Sequence, residues 1–203
     1  MLALTRMRPG YVSRAVCLLL ASALLAGCGI NTIPTLQERA KASWSEVLNQ
    51  YQRRADLIPN LVETVKGYAA QESKVLTDVV EARAKATQMQ IPADILTNPE
   101  AFQKFQEAQG VLTGALSKLL SITENYPDLK SNQNFLALQS QLEGTENRIA
   151  IARRDYIASV QAYNTEIRTI PGRWWRAFLY PDAQPMQNFT VAEETTKVPE
   201  VKF

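Results

Sequence analysis

No histidine occurs anywhere in the 203 residues, and cysteine occurs only twice, at Cys17 and Cys28. The first absence removes imidazole as a metal ligand, as a general base and as partner to a serine or cysteine nucleophile. The second leaves no disulfide framework, since Cys17 falls in a segment with the marks of a leader. Phosphate-binding loops, internal repeats, metal-ligand clusters and low-complexity stretches are missing as well. An excess of either charge is also lacking, with 22 basic against 20 acidic side chains. Three of the basic ones, Arg6, Arg8 and Arg14, precede residue 28. Without them the remainder is slightly acidic, so nucleic acid has no electrostatic footprint to bind. Carboxylate chemistry is the main enzymatic route left open, and no cofactor or metal is expected.

What is present begins with a basic segment, then apolar or small residues from Ala15 to Ala26, then Leu25-Ala26-Gly27-Cys28. That is the order of a secretory leader. The apolar run is shorter than the roughly 20 residues a transmembrane helix needs, and Asn31 and Thr32 follow it closely. The four residues ending at Cys28 resemble the lipobox of bacterial lipoproteins. The resemblance implies cleavage after Gly27, a diacylglyceryl group on the Cys28 thiol and an acyl group such as palmitate on the new amine. Two or more chains hold a protein stably on a bilayer, whereas one does so only marginally. Gly29 stands where an aspartate would signal inner-membrane retention in enteric lipoproteins. Lipid anchoring at the periplasmic face of an outer membrane is therefore expected in a cell that has one.

Beyond Cys28 the apolar residues keep helical spacing, and no segment alternates as a strand would. The spacing predicts an all-α chain. Residues 28–34 read as a tether, and Thr35 with Glu38 reads as a capping box opening the first helix. Its stripe runs through Leu36, Val47, Leu48 and Tyr51, meets Pro59, and resumes at Leu61, Val65, Tyr68, Val75, Leu76 and Val79. The residues do not decide whether Pro59 kinks one helix or separates two. Asn98 and Pro99 predict the next start, followed by Phe102, Phe105, Leu112, Leu116 and Leu119 up to Tyr126-Pro127. Gly110 and Gly114, four apart, predict close helix packing. From Ser131, the residues Phe135, Leu142, Ile149, Tyr156, Tyr163 and Ile170 recur every seven positions. This predicts a helix of roughly 60 Å, stopped by Pro171-Gly172. The sum is an elongated, mostly antiparallel bundle over 35–172, followed by an aromatic, basic lid and an extended tail over 173–203.

The segment from Phe135 to Tyr156, FLALQSQLEGTENRIAIARRDY, resembles the signature of the LemA family. So do RRADLIPNLV over 53–62, the Val65-Lys66-Gly67-Tyr68 that follows, and the close Val198-Pro-Glu-Val-Lys-Phe203. The resemblance covers nearly the whole chain after the leader. It implies an elongated up-and-down four-helix bundle on the cell envelope with no established enzymatic activity. It departs from the family at Ile157, where an asparagine is usual, and at Gln71, where a histidine is common.

With Phe135, Leu142 and Ile149 on the seam, Glu146, Arg148, Arg153 and Asp155 flank it. These are expected to pair across helices with Arg53, Arg54, Asp56 or Glu63. Glu143, Asn147 and Arg154 fall on the opposite side and form a candidate stripe for recognising a partner. Glu143 and Glu146 also represent the carboxylate alternative, a cell-wall hydrolase, although three residues on one helix is a poor spacing for acids across a cleft. Arg173, Trp174, Trp175 and Arg176 suit a membrane interface or a lid over one end of the bundle, and the lid is favoured. Phe189, Val201 and Phe203 are candidates for docking the tail. A membrane-tethered interaction or scaffold protein with an envelope protein partner is the function expected. A binding module for a small or lipidic ligand is the other alternative, weakened because the stripes look filled. The sequence leaves the oligomeric state and the identity of the partner undetermined.

Overall fold

The computed structural model describes residues 29–190. The leader with Cys28, and the closing segment with Val201 and Phe203, lie outside the described residues. Within them there are six α-helices, one 3-10 turn and no strand. They are α1 (Thr32–Lys66), α2 (Ser73–Gln88), α3 (Pro99–Thr123), α4 (Pro127–Lys130), α5 (Gln133–Glu166) and α6 (Gly172–Phe178), with the 3-10 turn Ala70–Glu72 between α1 and α2. None is long and apolar enough to cross a membrane.

The first helix starts earlier than its capping pattern suggests. Asn31 is its N-cap, without a side-chain bond. Thr35 donates its hydroxyl to the Asn31 carbonyl instead of capping a helix of its own. Residues 32–34 of the expected tether are thus already helical, with Pro34 tolerated in the first turn. Pro59 neither breaks the helix nor ends it. A proline at 59 has no N–H to offer the Ala55 carbonyl, and Arg83 of α2 supplies the missing donor, Nε to oxygen at 2.8 Å. The break comes eight residues later, at Gly67 to Ala69.

Contacts give the directions of the long helices. Ser43 meets Ser159 at 3.0 Å, Arg54 meets Glu146 at 3.0 Å, and Tyr68 accepts from Asn132 at 2.9 Å. One number rises as the other falls, so α1 and α5 are antiparallel along their length. The pairs Glu72–Tyr126 and Asp78–Lys118 make α2 and α3 antiparallel in the same way. Trp44 packs on Phe102 and Phe105, and Arg54 bonds to Gln109 and Thr113, so the numbers rise together and α3 runs parallel to α1.

The start of α3 is as expected: Asn98 accepts from the Ala101 amide, with Pro99 behind it. The start of α5 is two residues later than Ser131, because α4 intervenes and Asn132 is the cap, accepting from Phe135. Its end is earlier too. Phe135, Leu142, Ile149, Tyr156 and Tyr163 are buried as predicted, but Ile170 has left the helix and lies 65% exposed. At Gly172 a Cβ would overlap the Glu166 carbonyl oxygen, so a glycine is required where α6 crosses the end of α5. Gly110 and Gly114, by contrast, are exposed with open space where a Cβ would stand. The close packing expected there is absent, since α3 turns those glycines towards solvent.

The core has two parts. An aromatic cluster gathers Trp44, Tyr51, Phe102, Phe105, Tyr156 and Phe189, while an aliphatic cluster holds Ile58, Leu61, Val65, Val79, Leu112 and Leu119. Because α2 reaches only the second cluster, the first is covered by the linker before α3 and by the tail. Ala183, Met186 and Phe189 are buried there.

Candidate functional site

Between the two apolar clusters lies a polar layer centred on Arg54. Its position follows from helix phase, three residues after Tyr51 and four before Ile58, which puts it on the buried stripe of α1. Its guanidinium is 1% exposed. Nη1 donates to Thr113 at 2.9 Å and to the Glu146 carboxylate at 3.0 Å, and Nη2 donates to the Gln109 side chain at 2.7 Å. The plane also lies 5.1 Å from the centre of the Tyr51 ring. Burial pushes the Tyr51 phenol up from its ordinary value, against the pull of Arg153 and Arg54. The Arg54 Nε remains without a partner.

This layer floors a cleft of about 750 Å³ between α3 and α5. Phe102, Gln106, Gly110, Ile149 and Arg153 form its walls, and the tail from Gln187 to Thr190 forms its edge. The tail is held by specific bonds. The Tyr156 hydroxyl donates to the Gln187 carbonyl at 2.7 Å, and the Gln187 amide donates to the Leu96 carbonyl at 2.7 Å. Asn164 donates to and accepts from the Met186 backbone, both at 2.9 Å. Arg153 lies 4.4 Å over the Phe189 ring. The apolar stripes are therefore less completely filled than the sequence suggests, and the exposed Gly110 is one reason.

The expected inter-helix ion pairs reduce to one, Arg54–Glu146. Arg53 and Arg148 are exposed, Asp56 accepts from Gln52 on its own helix, and Asp155 meets only its neighbour Arg154. Glu143, Asn147 and Arg154 all stand exposed on α5, where Glu143 accepts from Gln139 one turn earlier. Glu143 and Glu146 do not face each other across a cleft, as one is solvated and the other is tied to Arg54. Among the described residues no group of three acidic side chains could hold a metal ion. The aromatic segment divides by face. Trp175 is half-buried against the aromatic cluster and Arg176 donates to the Ala183 carbonyl at 2.7 Å, whereas Arg173 and Trp174 are exposed.

Comparison with known families matches residues 43–203 to the LemA family. The chain belongs to the LemA family. Two curated relatives of this LemA-family chain are the Magnetosome proteins MamQ 2 and MamQ 1 of Paramagnetospirillum magneticum. Each is 27% identical over 157 residues, covering 70% of this chain and 58% of the relative. Magnetosome protein MamQ of Magnetospirillum gryphiswaldense matches to the same extent. The chain thus spans under two thirds of the length of these relatives. Neither the family description nor their names carries an enzymatic activity.

The LemA match places the site in context. The match over 43–203 includes Arg54, Gln109, Thr113 and Glu146. The segments 53–62 and 135–156, which resemble family signatures, contribute Arg54 and Glu146 to the polar layer. The departures sit elsewhere: Ile157 packs against the aromatic cluster and Gln71 is exposed in the 3-10 turn.

Proposed function

We propose that this LemA-family protein is a non-enzymatic interaction protein, lipid-anchored to the cell envelope through Cys28. Its four long helices form an up-and-down bundle that presents the solvent side of α5 to another envelope protein. In a cell with two membranes its place is the periplasmic face of the outer one. One observation carries the reading. The signature helix buries Phe135, Leu142, Ile149 and Tyr156 on one side, while Glu143, Asn147 and Arg154 stand exposed on the other. Packing gives no reason for that second set, and their recorded bonds go only to residues of α5 itself.

Reversing both charges, Glu143→Lys with Arg154→Glu, tests the stripe. Crosslinks to the partner in intact cells should weaken severalfold while the melting temperature changes little, since solvated surface changes are usually within about ±0.5 kcal/mol. Unchanged crosslinks, or a matching loss of fold, would refute it.

A further inference from the structure

Four of the exposed large apolar side chains among the described residues crowd into ten consecutive positions. They are Ile170, 65% exposed, Trp174, 55%, Phe178, 80%, and Leu179, 48%. The others, such as Tyr68, Val80, Val111 and Leu136, are scattered singly over several elements. Trp174 and Phe178 are four apart and share one face of α6. Scattered apolar residues are ordinary on a protein surface, whereas a contiguous patch marks an interaction site. The inner side of the same helix is fully occupied. Trp175 packs on the aromatic cluster and Arg176 is bonded to the tail, so α6 cannot turn its aromatic face inward.

The position of the chain's entry names what covers the patch. Gly29, the first described residue, lies against α6: a Cβ there would stand 3.7 Å from the Trp175 indole nitrogen and 3.9 Å from Pro171. Its φ of +123° is one that a glycine adopts readily and other residues rarely do. The residue before it is Cys28, so an anchor there is tethered within one residue of α6. Arg173, next to Trp174 in sequence, and Arg168, two residues before Ile170, are also exposed. Apolar groups together with nearby cations suit an interface of acyl chains and anionic head groups.

We infer that the outward face of residues 170–179 lies in the bilayer interface, with lipid as its partner. This rests on the anchoring proposed above and adds an orientation to it. Trp174, Phe178, Ile170 and Leu179 are immersed at the level of the head groups, Trp175 faces the protein, and α1 and α5 lead away from the membrane. A lipid chain at Cys28 together with this patch supplies two attachments, where a tether alone would let the bundle tumble.

Tryptophan quenching by brominated lipid tests this on the full lipidated chain. The protein is reconstituted into vesicles of phosphatidylethanolamine and phosphatidylglycerol, with or without bromine on the acyl chains. Of its three tryptophans, Trp44 is buried and serves as the unquenched background. Bromine should quench the wild type, and Trp174→Phe should lose roughly half or more of the quenched emission if that ring is the immersed one. Trp175→Phe should keep most of it, and Phe178→Ser should reduce it at unchanged helical circular dichroism. Equal emission from both kinds of vesicle, with the protein floating on them, would overturn the inference and leave the anchor standing. Absence of quenching together with a concentration-dependent dimer crosslinked at residue 174 would assign the patch to a second copy, also overturning it. A processed chain that failed to float would overturn the anchor and this orientation with it.

Discussion

Arg54 is the residue on which the two halves of the core meet. Adjacent Arg53 is exposed, and only the phase of the stripe, Tyr51 to Arg54 to Ile58, separates them. That signal is legible in the sequence, yet an arginine on an apolar stripe is easily read as a flanking charge. Glu146 flanks the seam of α5, which makes Arg54 one of its expected partners across the helices. The depth of the layer was not legible, since Gln109 and Thr113 come from α3 and belong to no pattern that points at α1. The buried guanidinium has its charge paired and both terminal nitrogens bonded, with Nε alone unpartnered. The net contribution of such a pair over an apolar replacement is small. Register is the better account of its role: a one-turn slide of α5 would separate Arg54 from Glu146 and leave the charge buried alone. Removing the partner exposes that dependence. Glu146→Ala should destabilise by about 2–3 kcal/mol, below the value for a fully buried pair because the Glu146 side chain is 39% exposed. Glu143→Ala, one turn away on the solvated side, should stay within about 0.5 kcal/mol. Urea unfolding of both variants decides the matter, and equal midpoints would dismiss the buried layer.

At the scale of elements, helix periodicity carried most of the fold. The stripes of α1, α3 and α5 are buried as their spacing required, except for Tyr68 and Ile170, which are exposed because both helices end before reaching them. The Asn98-Pro99 start of α3 is where the cap chemistry put it. What the sequence could not give was tertiary compensation. Pro59 looks like a break because the donor that replaces its missing N–H is Arg83, on a different helix. The Thr35-Glu38 pattern looks like a start because nothing local reveals that Asn31 and Pro34 already support a turn. The tail is the clearest case. Its prolines and polar residues predict an extended tail; residues 181–190 carry no helix or strand, and they are held by Asn164, a residue with no distinguishing mark in α5. That side chain offers Met186 both a donor and an acceptor, as a neighbouring strand would. Two such bonds contribute about 1–2 kcal/mol in total. In Asn164→Leu the amides of residues 186 and 187 should therefore exchange with deuterium roughly tenfold faster, while those at the centre of α1 are unchanged. Equal protection in both proteins would show that Phe189 and Met186 hold the tail without the clamp.

The whole molecule has an aromatic end and an aliphatic end, and they differ in what can titrate. Tyr51, Tyr156 and Tyr163 all belong to the aromatic cluster. Burial raises the phenol of each above its ordinary value, Tyr156 most of all. A raised value means that the folded state keeps protons which the unfolded chain releases once the pH passes about 10. The stability gained from these rings is therefore fully present below that point and is lost as pH rises through the folded values. Near neutrality no imidazole exists to titrate. Melting temperature should accordingly be almost constant between about pH 6 and 9, then fall steeply above about pH 10. The site of failure is also fixed by the arrangement. Ionising Tyr156 removes the donor to Gln187 and charges a ring packed among Trp44, Phe102 and Phe189. Tail release and loss of the aromatic end should thus precede loss of the helices, which the aliphatic cluster holds. Phenolate absorbance and near-ultraviolet circular dichroism should change together at a lower pH than the helical signal. A single transition in all three, at the pH of unfolded tyrosine, would mean that the aromatic end has no separate stability and that the polar layer does not divide the core.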